Sequence, residues 1–149
     1  MANTDDPYDL DRFVRAQAGS YADALAEIRG GRKRSHWMWY VFPQVEGLGS
    51  SWTSQKYAIS GAAEAKAYLD HPVLGPRLVE CCEAVLAVEG RSAREIFGGI
   101  DELKLRSSAT LFASVSDPGS VFERVLEKYF DGERDARTVE LLGQTRTAR

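Results

Sequence analysis

Residues 76–90 read PRLVECCEAVLAVEG, and this stretch carries the clearest helical pattern in the chain. Its apolar side chains recur at spacings of three and four residues, which places them on one face of a helix; they are Leu78, Cys81, Cys82, Val85 and Leu86. Pro76 falls in the first turn, where its missing N–H costs no helical hydrogen bond. The pattern predicts an amphipathic helix with one buried face.

The segments on either side of this helix show the same kind of pattern. Helices are predicted at residues 10–17, 21–29, 61–71, 93–98, 101–113, 121–130 and 135–142. Ser92 followed by Glu95 forms a capping box for one of them. Since no alternating runs join into hairpins, the fold class is all-α: a single domain built as an irregular array of about six to eight short helices, whose short Gly- and Pro-containing connections favour large crossing angles.

Length and composition agree with one packed domain. The chain has 149 residues, of which 44% are hydrophobic and 28% charged, a balance typical of globular proteins. The core is expected over residues 7–142, between a frayed acidic N-terminus and a frayed polar C-terminal tail. Cys81 and Cys82 are adjacent within the apolar pattern, so buried free thiols are expected rather than a disulfide.

Charge and motifs exclude several classes of function. The formal net charge of −3 argues against a protein that coats nucleic acid, since such domains are usually basic. The N-terminus lacks the features of a secretory signal, and no apolar run reaches the ~20 residues that span a bilayer. The cysteines and histidines lack zinc-site spacing. The sequence therefore predicts a cytoplasmic protein without membrane, metal or cofactor, as a monomer or weak dimer.

The least ordinary segment is residues 32–44, which read RKRSHWMWYVFPQ. Three basic residues lead directly into a run of aromatic side chains. Periodicity does not decide the conformation, because both faces of either a helix or a strand would be large and apolar. A helix is predicted here because the rest of the chain is helical. Residues 45–53, rich in Gly and Ser, are predicted to form a loop.

This aromatic block and three later stretches resemble the DUF1810 family of bacterial proteins of unknown function, and the mycobacterial members most. The matching residues are Arg32 to Gln44, Gly47 to Ser51, Glu64-Ala65 with Tyr68-Leu69 and His71 to Leu78, Ile96 to Gly98 with Asp101, Lys104-Leu105 and Ser107-Ser108, and Thr110 to Phe112. The resemblance covers residues 7–142. It implies an all-helical orthogonal array and no known activity.

His36 is the best candidate for a catalytic residue. It is one of two histidines and lies between a basic cluster and aromatic side chains that would shift its proton affinity, as a general acid or base requires. The structural alternative is a histidine that hydrogen-bonds a backbone carbonyl or stacks on a tryptophan. Whether the protein is an enzyme is not decided by the sequence.

The same block offers a ligand site. Aromatic rings stack on bases or sugars, and basic side chains bind phosphate. The residues in question are Arg32, Lys33, Trp37, Trp39, Tyr40 and Gln44. The alternative is that the aromatic side chains form the hydrophobic core and nothing else.

A second group of polar residues lies on one predicted helical face. Lys104, Ser107 and Ser108 are spaced by three and four residues, so a lysine and two hydroxyls would meet there and could hold an anion. In the commoner alternative, the hydroxyls bond to carbonyls one turn earlier and the lysine is solvated.

The leading hypothesis is a domain that binds a small anionic, nucleotide-like ligand at the 32–44 block, with hydrolase or transferase activity if His36 acts on it. A second hypothesis is a nucleic-acid or protein binding module that uses the basic cluster Arg29–Arg34. A third is a purely structural aromatic core. The three differ in whether Trp39 borders a cavity and whether the arginines are exposed.

Overall fold

The computed structural model describes the backbone of residues 6–147 and the side chains of residues 6–143. The helices within that range are α1 (Asp11–Ala18), α2 (Tyr21–Arg29), α3 (Met38–Val41), α4 (Trp52–Lys56), α5 (Ala62–Asp70), α6 (Leu74–Ala87), α7 (Ala93–Phe97), α8 (Asp101–Ala113), α9 (Val121–Phe130) and α10 (Ala136–Thr147). The described residues form no strand, only an isolated parallel bridge between Val45 and Ile59.

The all-α class is confirmed, and the predicted number of helices was too low. The structure has ten helices within residues 6–147. Helix α4, with five residues, lies outside every segment predicted to be helical, and α3, with four residues, is a single turn within the predicted segment 32–44. Helices this short do not contain a full period of the apolar pattern, so periodicity does not reveal them.

Helix α6 occupies the place that its pattern predicts. It packs against α2, α5 and α9, and its apolar face is buried. Cys81 and Cys82 are both buried free thiols. The sulfur atoms act here as small apolar groups.

Helix α8 runs through the centre of the molecule. It contacts α5, α7, α9 and α10, and every residue from Ser107 to Ala113 is buried. Small side chains in this stretch allow neighbouring helices to approach closely. Phe112 completes the core through ring contacts with Tyr68 and Phe122, at centroid distances of 5.3 and 5.7 Å.

The helix predicted over residues 32–44 is wrong apart from the single turn of α3. Two backbone N–H groups, those of Arg34 and Ser35, donate to the Glu27 carboxylate at 2.7 and 3.0 Å. The Lys33 N–H donates to the Ile96 carbonyl at 2.7 Å. Because these amides bond to other elements, they are not available for a helical ladder, and the chain runs irregularly until Met38.

The predicted loop at residues 45–53 is correct except at its end, where α4 begins at Trp52. Ser51 caps this helix, since its hydroxyl accepts the Ser54 N–H at 3.1 Å. The capping box at Ser92 and Glu95 is present as predicted.

The predicted end at Leu142 is also wrong, because α10 continues to Thr147. The fraying predicted for the polar tail is wrong at residues 143–147, whose backbone belongs to α10, and the fraying expected at residues 1–5 and 148–149 lies outside the described residues. No helix within residues 6–147 combines the length and the hydropathy needed to cross a bilayer.

Candidate functional site

A pocket of about 120 Å³ opens between the loop after α3, helix α4 and the first half of α8. Its wall combines aromatic, apolar and charged side chains, among them Trp39, Gln44, Glu46, Leu48, Tyr57 and Lys104. Two segments that are far apart in the sequence therefore share one concave surface.

Lys104 and Trp39 meet at this pocket. The Lys104 Nζ lies 3.9 Å from the centroid of the Trp39 ring, well within the range of a cation–π interaction. Both residues are half-buried. The contact places a cationic group and an aromatic surface side by side on the pocket wall.

The Asp101 carboxylate forms an ion pair with this lysine. Asp101 accepts from the Lys104 Nζ at 3.1 Å and from the Lys33 Nζ at 2.8 Å. The three side chains are only 8–19% exposed. Partial burial opposes ionisation of Asp101, but the hydrogen bonds and charges of the two lysines outweigh it and lower the pKa of Asp101.

The cluster of Lys33, Asp101 and Lys104 consequently carries two positive charges and one negative charge. One ammonium group is neutralised and the other is compensated only in part. Lys104 therefore brings to the pocket an ammonium group that shares its single ion-pair partner, Asp101, with Lys33.

The backbone of residues 44–46, which also line the pocket, is held by the parallel bridge. The Ile59 N–H donates to the Gln44 carbonyl, and the Glu46 N–H donates to the Ile59 carbonyl, both at 2.8 Å. Val45 between them is buried. The side chains of Gln44 and Glu46 hydrogen-bond to no other described residue.

Two glycines allow the loop to close around the pocket. Gly47 has φ +102°, and a Cβ there would lie 3.1 Å from the Leu141 side chain. A Cβ on Gly49 would lie 2.7 Å from the Ser54 hydroxyl. Larger residues at these positions would push the loop away from α10 and α4.

The structure brings together part of the site that the sequence predicts. Trp39, Gln44 and Lys104 line the pocket, and Lys33 joins them through Asp101. Trp37 does not line it: the side chain is 1% exposed and packs in the core against Phe42 and Phe97.

The other predicted residues lie elsewhere. His36 and Arg32 are exposed and are not part of the pocket wall. The Tyr40 hydroxyl accepts from the Ser20 hydroxyl at 3.0 Å and donates to the His36 carbonyl at 3.4 Å. These contacts connect α3 to the α1–α2 turn.

Ser107 and Ser108 are buried in α8, away from the pocket wall. The Ser107 hydroxyl donates to the Leu103 carbonyl at 3.0 Å, which is the structural alternative that its position allowed. The Ser108 hydroxyl has no hydrogen-bond partner among the described residues.

The basic cluster Arg29–Arg34 is divided by the fold. Lys33 is directed inward to Asp101, and Arg29 lies 3.7 Å from Glu80. Arg32 and Arg34 remain exposed at the edge of a shallow depression next to Glu27. A nucleic-acid or protein binding role for this surface remains a prediction.

Sequence reasoning missed two residues of the site, Asp101 and Glu46. No local signal indicates that Asp101 meets Lys33, because the contact joins segments that are distant in the chain. Glu46 follows Gln44 by two residues, and recognising the segment as extended would have placed both side chains on one face. No group of three or more metal-binding side chains occurs among the described residues.

Comparisons with known proteins identify the family to which this chain belongs. The family model described as a protein of unknown function (DUF1810) matches residues 7–142. A similar solved structure is the 1.38 Å crystal structure of a conserved hypothetical protein from Mycobacterium tuberculosis, with 56% sequence identity and a TM-score of 0.91. The match covers 93% of this chain and 99% of the other. The search of curated proteins found no match.

Proposed function

The chain belongs to the DUF1810 family of proteins of unknown function, and we propose that it binds a small anionic ligand carrying a flat ring in the pocket beside Trp39. The observation that carries this proposal is the position of the Lys104 ammonium, 3.9 Å from the Trp39 ring on the pocket wall. Charge and ring contacts are thus offered at one place, as recognition of a nucleotide-like molecule requires.

Charge balance supports an anionic ligand. Two lysines share the single Asp101 carboxylate, and all three groups are largely removed from water. A half-buried ammonium without full compensation is costly in a medium of low dielectric. An anion bound at Lys104 would supply the missing negative charge.

The size of the pocket supports a ligand that the protein encloses only in part. The pocket volume of about 120 Å³ is below the range of about 300–1,000 Å³ that encloses whole drug-sized ligands. The apolar wall of Trp39, Leu48 and Tyr57 would cover one ring system. The remainder of the molecule would lie at the mouth of the pocket.

The test is isothermal titration of the full chain with nucleoside monophosphates and sugar phosphates, comparing the wild type with Lys104→Met. Loss of one charge-assisted contact is expected to weaken binding by roughly tenfold to a hundredfold. Lys66→Met is the matched control, because Lys66 is exposed on α5 and does not line the pocket.

Two results would contradict the proposal. One is that no phosphate-bearing ligand binds the wild-type protein. The other is that a ligand binds Lys104→Met and the wild type equally well. Short DNA and RNA in the same titration separate this site from one at Arg32 and Arg34, whose binding would fall steeply with salt and would not change in Lys104→Met.

A hydrolase or transferase activity depends on His36 and is a separate prediction. His36 is exposed and does not line the pocket, so it would act only on a part of the ligand that extends beyond the mouth. The expected result is that His36→Gln abolishes turnover of a bound ligand while the dissociation constant is unchanged. Unchanged turnover would show that His36 is not a catalytic residue.

A further inference from the structure

The pocket that Lys104 lines also contains two polar residues that the anion site does not use, Gln44 and Glu46. Both line the pocket. Neither side chain hydrogen-bonds to another described residue. We propose that this pair reads the edge of a guanine ring, so that the ligand is a guanine nucleotide; the inference rests on the proposed function of the pocket.

The backbone holds the two side chains on the same face. Hydrogen bonds on either side of Val45, both 2.8 Å long, join Gln44 and Glu46 to Ile59. In extended backbone, side chains two residues apart point to the same side, with Cα atoms about 6–7 Å apart. Val45 between them is directed into the core, where it is 3% exposed. The backbone that carries the pair is therefore fixed before a ligand arrives.

The chemistry of the pair matches one nucleobase edge. An ionised carboxylate only accepts hydrogen bonds, whereas an amide both donates and accepts. The guanine edge presents two adjacent donors, N1–H and the 2-amino group, beside the O6 acceptor. Glu46 would accept from both donors, as carboxylates do from the forked donors of guanidinium, and Gln44 would donate to O6.

An adenine edge leaves the carboxylate without a suitable partner. Adenine presents one amino donor beside a ring acceptor, and an amide satisfies that pair by itself. The ring acceptor would face Glu46 oxygens that carry no proton. An acceptor that meets a second acceptor loses its hydrogen bonds to water on binding and gains none, so the carboxylate, although exposed in the free protein, discriminates against adenine.

The two charges of the pocket serve different parts of the ligand. Glu46 and Lys104 both line the wall, yet the ion-pair partner of Lys104 is Asp101, and Glu46 has no ion-pair partner among the described residues. A molecule with a base at one end and a phosphate at the other satisfies both groups at once. The enclosed volume suits the base, and the phosphate lies near Lys104 at the mouth.

The experiment is calorimetric titration of the full chain with GMP, IMP and AMP, for the wild type and for Glu46→Gln. The wild type is expected to bind GMP about tenfold or more tightly than AMP, with IMP in between because it lacks the 2-amino group. In Glu46→Gln the preference for GMP disappears while AMP affinity is retained. Glu83→Gln, a change at an exposed position of α6, is expected to behave as the wild type.

The outcomes distinguish the two proposals. Equal binding of GMP and AMP by the wild type, or a GMP preference that survives Glu46→Gln, overturns the guanine assignment and leaves the anion site intact. Binding of none of the three overturns the guanine assignment, and failure of every phosphate-bearing ligand overturns both proposals. In Lys104→Met, all three nucleotides are expected to weaken by a similar factor, because the phosphate is common to them.

Discussion

At the scale of single residues, the Glu27 carboxylate determines the path of the chain ahead of the pocket. It accepts from the N–H groups of Arg34 and Ser35, from the Ser35 hydroxyl at 2.5 Å and from the Trp37 indole at 2.9 Å. Partial burial opposes its ionisation, but these four donors outweigh that effect and lower the pKa of Glu27 to about 2.

This shift predicts a pH-dependent contribution to stability. A carboxyl group with a depressed native pKa stabilises the fold above its unfolded pKa and loses that contribution as the pH falls through the native value. Glu27→Gln should therefore lower the free energy of unfolding by about 1–2 kcal/mol at pH 7, discounted because the carboxylate is partly exposed. Urea unfolding from pH 7 downward measures the difference between the two proteins.

Below about pH 4.5 the difference should shrink steadily toward zero as the pH nears 2. The control is Glu127→Gln, at an exposed position on α9, which should leave stability unchanged at every pH. A difference for Glu27→Gln that stays constant across the whole range would show that the carboxylate charge is not what holds residues 34–37.

At the scale of helices and their junctions, α1 supports the wall of the pocket. Arg12 donates to the carbonyls of Lys56 and Ala58 at 2.7 and 2.9 Å and pairs with the buried Glu64 carboxylate at 2.9 Å. The segment after α4 is thereby connected to both α1 and α5. A single arginine positions the backbone that carries Tyr57 and Ala58 into the site.

The α5–α6 junction requires glycine at position 75 because there is no space for a side chain. A Cβ at Gly75 would lie 2.0 Å from the Leu69 carbonyl oxygen, and a backbone atom does not move aside as a flexible side chain does. Gly75→Ala is expected to destabilise the protein by at least about 2 kcal/mol, through overpacking. Thermal and urea unfolding measure the loss.

Gly143→Ala in α10 is the matched substitution, because a Cβ there meets no atom within 4 Å. Alanine favours helix over glycine by roughly 0.5–1 kcal/mol, so this variant should be neutral or slightly more stable. If both alanine variants had the same stability, close packing between α5 and α6 would not be the reason for glycine at position 75.

At the scale of the whole molecule, the reactivity of the Cys81 and Cys82 thiols measures how readily the core opens. Burial is the main cause that raises the pKa of Cys81 to about 12, and burial also raises the pKa of Cys82. Because the thiolate is the reactive form, both thiols should react with a disulfide reagent at pH 8 far more slowly than a free cysteine. The rate should rise with urea in parallel with global unfolding.

The measurement is absorbance on release of the reagent's leaving thiol, with the fully denatured protein as the reference for two reactive groups. Equal rates for Cys81 and Cys82 are expected, since both lie in α6 within the same buried face. Rapid reaction of either thiol without denaturant would show that α6 detaches locally while the rest of the molecule stays folded.

Helices whose apolar side chains repeat over at least two turns follow from the amino-acid sequence alone. The bounds predicted for α8 and α9 are those observed, and the capping box at Ser92 and Glu95 is present. These features arise from interactions between residues three or four positions apart, which a linear pattern records directly. The family resemblance over residues 7–142 can likewise be recognised from the sequence and is confirmed.

The conformation of residues 32–37 and the composition of the pocket depend instead on contacts that form when the chain folds. The Glu27 carboxylate accepts hydrogen bonds from backbone N–H groups that would otherwise continue a helix. Asp101 pairs with both Lys33 and Lys104, which come from separate segments. Such contacts join residues far apart in the chain, so no local spacing encodes them. They form because burying the core places those groups together, and a polar group removed from water is stabilised by a hydrogen-bond partner there.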